Sequence, residues 1–84
     1  LNVGCIPSKA LLESSELFAQ ARDHLAAHGV VTGGVSVDLA TMMKRKRDVV
    51  DGLTRGVQGL MKKNRIDVWN GRARLAAAPP SGLV

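Results

Sequence analysis

Cys5 is the only cysteine of the chain, and it stands between Gly4 and Ile6-Pro7-Ser8-Lys9 at what reads as the opening of a helix. A thiol placed there can do redox or nucleophilic work. The N–H groups of a helix's first turn have no intrahelical partners and, together with the helix dipole, favour an anionic sulfur. Lys9, four residues on, sets a positive charge on the same face. Pro7 suits a first turn, where a missing N–H costs nothing, and Gly4 leaves out a side chain beside the sulfur, so a planar group can approach the backbone. The arrangement suits a thiol working against a flat cofactor. The plainer reading, that a lone cysteine is a small buried hydrophobe and a lone lysine a solvated charge, is the commoner one for such residues taken alone.

The run Leu1-Asn2-Val3-Gly4-Cys5-Ile6-Pro7-Ser8-Lys9-Ala10-Leu11-Leu12 resembles the redox-disulfide segment of the FAD-dependent pyridine nucleotide–disulfide oxidoreductases, in particular their dihydrolipoamide dehydrogenase branch. Val37 to Lys46 and Leu60 to Asn64 are similar to the stretch that follows the disulfide in that branch, so the resemblance covers nearly the whole chain and weakens after Leu75. The family segment reads Cys-x-x-x-x-Cys. Its first cysteine would fall immediately before Leu1, and Cys5 would be the second, the one that faces the flavin.

The resemblance implies an α/β fold class: a fragment of a Rossmann-like FAD-binding domain, internal to a much longer parent and starting just after the first redox cysteine. It implies Cys5 as the catalytic residue and Gly4, Cys5, Ser8 and Lys9 as cofactor-binding residues, with FAD and NAD as cofactors. The implied activity is that of an NAD-dependent dihydrolipoyl dehydrogenase, which passes electrons from protein-bound dihydrolipoamide through a redox disulfide and FAD to NAD. The implied partners are the lipoyl domains of 2-oxoacid dehydrogenase complexes and a second copy of the parent in a homodimer; the implied location is cytoplasmic, or the mitochondrial matrix in a eukaryote. Leu1 and Ile6 with Ser8-Lys9 favour this branch over glutathione reductase, and mercuric reductase, which shares Ser-Lys, stays open. The G-x-G-x-x-G fingerprint and the histidine–glutamate base of the family have no counterpart in the sequence, so the 84 residues alone are expected to be inactive.

The elements that would position the thiol read as helix, link, helix, strand. A first helix is predicted over about 5–27, with Leu11, Phe18 and Leu25 spaced by seven, Ala21 on the same broad face and Leu17 at its edge. Glu13, Glu16 and Asp23 take the other side, and Arg22 lays its stem along the apolar face with its head in water. His28-Gly29 ends the helix. A link over 28–37 follows, too rich in glycine for a long strand. Asp38 is the expected N-cap of a second helix over about 38–64, whose apolar residues recur at steps of three and four. Gly52, Gly56 and Gly59 share a face that would admit a close neighbour. Ile66 to about 76 reads as a strand or hairpin around Asn70-Gly71, and 77–82 as loop.

Composition narrows the classes. One Phe, one Trp and no Tyr leave 84 residues short of large core side chains, and a chain near this length buries only roughly 60% of the surface its unfolded form exposes. The start at Leu1 inside a motif and the stop at Gly82-Leu83-Val84 fit an internal piece of a larger domain. No apolar run approaches the ~20 residues of a membrane span. The formal net charge of +5 and the run Lys44-Arg45-Lys46-Arg47 open an alternative, a basic helical-hairpin interaction or nucleic-acid module with an incidental cysteine. Aromatics for base stacking are nearly absent, however, and four successive helical residues point to different sides. His24 and His28 lack a third ligand, and no metal site is expected.

Overall fold

The computed structural model describes residues 1–77. They form two helices, α1 over Cys5–Asp23 and α2 over Leu39–Lys63, with a short 3-10 turn over Leu25–His28 after the first. α1 and α2 pack against each other. They run antiparallel: Val49 and Leu53, well along α2, share a cleft with Cys5 and Lys9 at the start of α1, whereas Asp38 and Met42 at the start of α2 share another with Phe18 and Ala21 near the end of α1.

α1 stops at Asp23, short of the expected 27, because the chain tightens there into the 3-10 turn, a frequent way for a helix to finish. Gly29, at φ 77°, closes the turn. Its N–H donates to the Ala26 carbonyl at 3.0 Å and that of Val30 to Leu25 at 3.1 Å, the paired bonds of a left-handed C-terminal cap. Leu11, Phe18, Ala21 and Leu25 are half-buried and Leu17 is exposed. Arg22 lies over the Phe18 ring, 5.3 Å from its centroid, and holds Asp23 through two hydrogen bonds of 2.8 and 2.7 Å.

Asp38 caps α2 as its sequence position suggests. Its backbone is extended (φ −91°, ψ 95°), the Thr41 N–H donates to its Oδ1 at 3.1 Å and the Thr41 hydroxyl to its Oδ2 at 2.6 Å. These bonds, the hydroxyl's first, hold the Asp38 carboxyl below the ordinary value of 3.8. A carboxyl whose folded value is depressed adds stability above its unfolded value and loses it as pH falls through the folded one. Helicity of Asp38→Asn, which keeps a cap but cannot ionise, is therefore expected to fall less than that of the unchanged chain when pH drops below about 4, as followed by circular dichroism. Equal losses would show that the Asp38 charge plays no part. Asp48 and Asp23, lowered by Lys44 and Arg22, titrate in both proteins and cancel in the comparison.

At the other end of α2, Arg65 takes a left-handed φ of 55° in place of the usual glycine, and the N–H of Ile66 donates back to Met61 at 2.9 Å. Beyond it the expected strand is absent. Among the described residues there is no strand at all, so the α/β class read from the sequence is not formed within this stretch. Residues 66–76 are irregular and exposed, with Trp69 90% and Leu75 87% accessible. A strand exists only by pairing, and no neighbouring strand lies beside this segment. The Asn70-Gly71 hairpin turn is likewise not formed, since it needs positive φ at both residues and only Gly71 has it. Residues 78–82 of the expected loop lie outside the described residues.

Among the described residues, Ala10 on α1 and Val50 on α2 are the buried ones, and the radius of gyration is 21.1 Å, against about 12 Å for a compact domain of this length. Among the described residues no element has closed on the glycine face of α2: a Cβ at Gly52, Gly56 or Gly59 would meet nothing within 4 Å. No described helix is long and apolar enough to cross a membrane.

Candidate active site

Cys5 opens α1 and is an exposed free thiol. No side chain caps this helix end, and Pro7 has no N–H, so the first-turn N–H groups of Cys5 and Ile6 have no intrahelical acceptor and are left to a ligand or water. Gly4 precedes the thiol with φ −104° and ψ −98°. A side chain there would touch nothing within 4 Å. Neither a left-handed backbone nor crowding inside the chain requires glycine at this position; what its missing side chain provides is open space beside the sulfur. The Ser8 hydroxyl is turned back on its own helix, donating to the Cys5 carbonyl at 3.3 Å.

Cys5 and Lys9 line one cleft between the helices, of about 390 Å³. Ile6, Ala10, Val49 and Leu53 give it apolar walls, and Glu13 and Arg45 complete its charged rim. A volume of this order matches those of small-molecule sites, roughly 300–1,000 Å³. Of the four site residues expected from sequence, Cys5 and Lys9 thus meet in one wall, while Gly4 and Ser8 sit beside it on the first turn.

Two residues of the rim were not expected. Glu13 reads in sequence as part of the solvent face, yet it points across to α2, where Arg45 Nη2 donates to Glu13 Oε2 at 3.1 Å. The available signal was spacing, since Cys5, Lys9 and Glu13 follow one another at four-residue steps and must share a stripe of α1. Arg45 was hidden in the basic run. The structure breaks that run apart: Lys44 pairs with Asp48 at 2.6 Å, Arg45 turns to Glu13, and Lys46 is half-buried. Among the described residues no three His, Cys, Asp or Glu side chains gather as a metal site.

No family model matches the chain. Individual proteins do. Dihydrolipoyl dehydrogenase of Cupriavidus necator is 46% identical over 83 residues, 99% of this chain and 18% of that protein. The mitochondrial dihydrolipoyl dehydrogenase of Pisum sativum is 48% identical over 77 residues, 92% of this chain and 15% of that protein, and a leghemoglobin reductase of Vigna unguiculata is 47% identical over the same fractions. The chain therefore spans less than a fifth of the length of the curated relatives it matches. The matched residues run through both helices, which removes the ground for an unrelated basic helical hairpin with an incidental cysteine.

Proposed function

We propose, for a chain that belongs in sequence with one segment of the dihydrolipoyl dehydrogenases, that it is part of the FAD-binding domain of an NAD-dependent flavoprotein disulfide oxidoreductase acting on dihydrolipoamide. The observation that carries this reading is the exposed Cys5 at the head of α1 with Lys9 in the same cleft wall. The residues present fit a flavin on their own chemistry. The open space at Gly4 would admit a flat ring beside the sulfur, the free first-turn N–H groups would face an electron-rich edge, and Lys9 would face negative charge.

When bound, the flavin would supply two-electron acceptance from a thiolate and hydride transfer to NAD. Everything else falls to the protein. In the oxidised state Cys5 would be disulfide-bonded to a cysteine immediately before Leu1. A dihydrolipoyl thiolate attacks that neighbour, the S–S bond breaks and Cys5 leaves as the thiolate. Closure of the lipoyl disulfide then frees the second thiol, so that two electrons have moved from dithiol to enzyme. The start of α1 and Lys9 stabilise the departing anion, and Ile6, Val49 and Leu53 line the same cleft with apolar side chains. The partners are lipoyl domains of 2-oxoacid dehydrogenase complexes and a second copy of the whole protein in a homodimer, in the cytoplasm or the mitochondrial matrix.

Lys9→Ala tests the site in the whole protein. Flavin reduction by dihydrolipoamide, followed by stopped-flow absorbance, is expected to slow by on the order of tenfold as a preorganised charge is lost, with helicity and thermal midpoint nearly unchanged. Unaltered kinetics and an unaltered flavin spectrum would make Lys9 a surface residue only.

A further inference from the structure

The carboxylate within one helical turn of Lys9 on its own helix face is that of Glu13. A lysine and a glutamate four residues apart lie within pairing reach on a helix, the order with lysine first being the weaker of the two. Here they do not pair: among the described residues Lys9 makes no ion pair, and the Glu13 carboxylate is held by Arg45 from α2, 32 positions away, at 3.1 Å. All four groups, Cys5, Lys9, Glu13 and Arg45, line the one cleft.

We infer that Arg45 is a positioning residue that occupies Glu13 so that the Lys9 ammonium stays available to the Cys5 sulfur. The inference rests on the reading of Cys5 as the redox thiol. Removing Arg45 frees Glu13 to swing along its stripe and take Lys9, which withdraws one positive charge from the sulfur and leaves a negative one nearby. Removing both Arg45 and Glu13 leaves nothing to capture Lys9. The double substitution should therefore repair what the single one damages, which loss of a merely structural bridge between α1 and α2 would not do.

The test uses the whole protein with its disulfide reduced and iodoacetamide, a neutral reagent, with modification of the Cys5 peptide timed by mass spectrometry at neutral pH. Arg45→Met is expected to slow alkylation of Cys5 by roughly two- to fivefold, the scale of an exposed charge pair. Arg45→Lys, which keeps a cation for Glu13, and the double Arg45→Met/Glu13→Gln should return to within about a factor of two of the starting rate, on the same scale. An unchanged rate in Arg45→Met, or a double variant as slow as the single, overturns the inference. Lys9→Met separates the two levels of argument. If it slows alkylation while Arg45→Met does not, only the role of Arg45 falls; if Lys9→Met itself changes nothing, the electrostatic reading of the Cys5 site falls with it.

Discussion

Cys5→Ser in the whole protein is expected to lower dihydrolipoamide-dependent NAD reduction by on the order of a thousandfold or more, the scale seen when an essential nucleophile is removed. Serine cannot form the disulfide that accepts the dithiol's electrons, and its hydroxyl has no accessible anionic state to set against a flavin. The substitution is nearly isosteric at an exposed position, so the fold should survive it. Two readouts separate loss of chemistry from loss of structure. Turnover should vanish, along with the long-wavelength absorption of a thiolate stacked on a flavin, while flavin content and thermal midpoint remain close to those of the unchanged protein. Retention of both turnover and that absorption would remove Cys5 from the reaction.

The 84 residues by themselves are expected to unfold without a sharp transition and to bind FAD at least about a hundredfold more weakly than the whole protein, since at most one edge of the cofactor would be met. Backbone ordering costs roughly 1–2 kcal/mol per residue, and the described residues bury only Ala10 and Val50 against it. Leu53, Leu60, Ile66 and Val68 are each more than half exposed, and among the described residues nothing lies within 4 Å of where a Cβ on Gly52, Gly56 or Gly59 would stand. Such surfaces need a covering element. Calorimetry and a flavin titration check the expectation: a loose, helix-containing or self-associating species agrees with it, whereas a monomer with a cooperative transition or stoichiometric FAD binding contradicts it.

Local chemistry was legible in the residues. Asp38 announces a cap because its side chain acts on the N–H groups two and three positions away, and Thr41 is one of them. Gly29 announces a helix end because a left-handed residue is needed there. Cys5 and Lys9 declare a shared face because four residues make about one turn. Long-range pairing was not legible. Nothing in the neighbourhood of Glu13 says that its partner is Arg45, since that contact depends on how the antiparallel hairpin closes rather than on periodicity. The strand expected over about 66–76 illustrates the same limit: β-branched and aromatic residues favour a strand, but whether one forms depends on a partner strand supplied from elsewhere. The early end of α1 belongs to a subtler class, where the choice between a last α turn and a 3-10 turn is decided by a few weak bonds around His24 and Gly29.

Disulfide mapping of the oxidised whole protein tests the central claim most directly, because it asks whether Cys5 is the redox thiol without relying on any substitution. The sulfur is expected in a disulfide with a cysteine immediately before Leu1, resistant to alkylation until dihydrolipoamide is added and then modified in step with opening of that bond. A Cys5 found free in the oxidised protein, or a Cys5 disulfide that dihydrolipoamide leaves intact, would contradict the account.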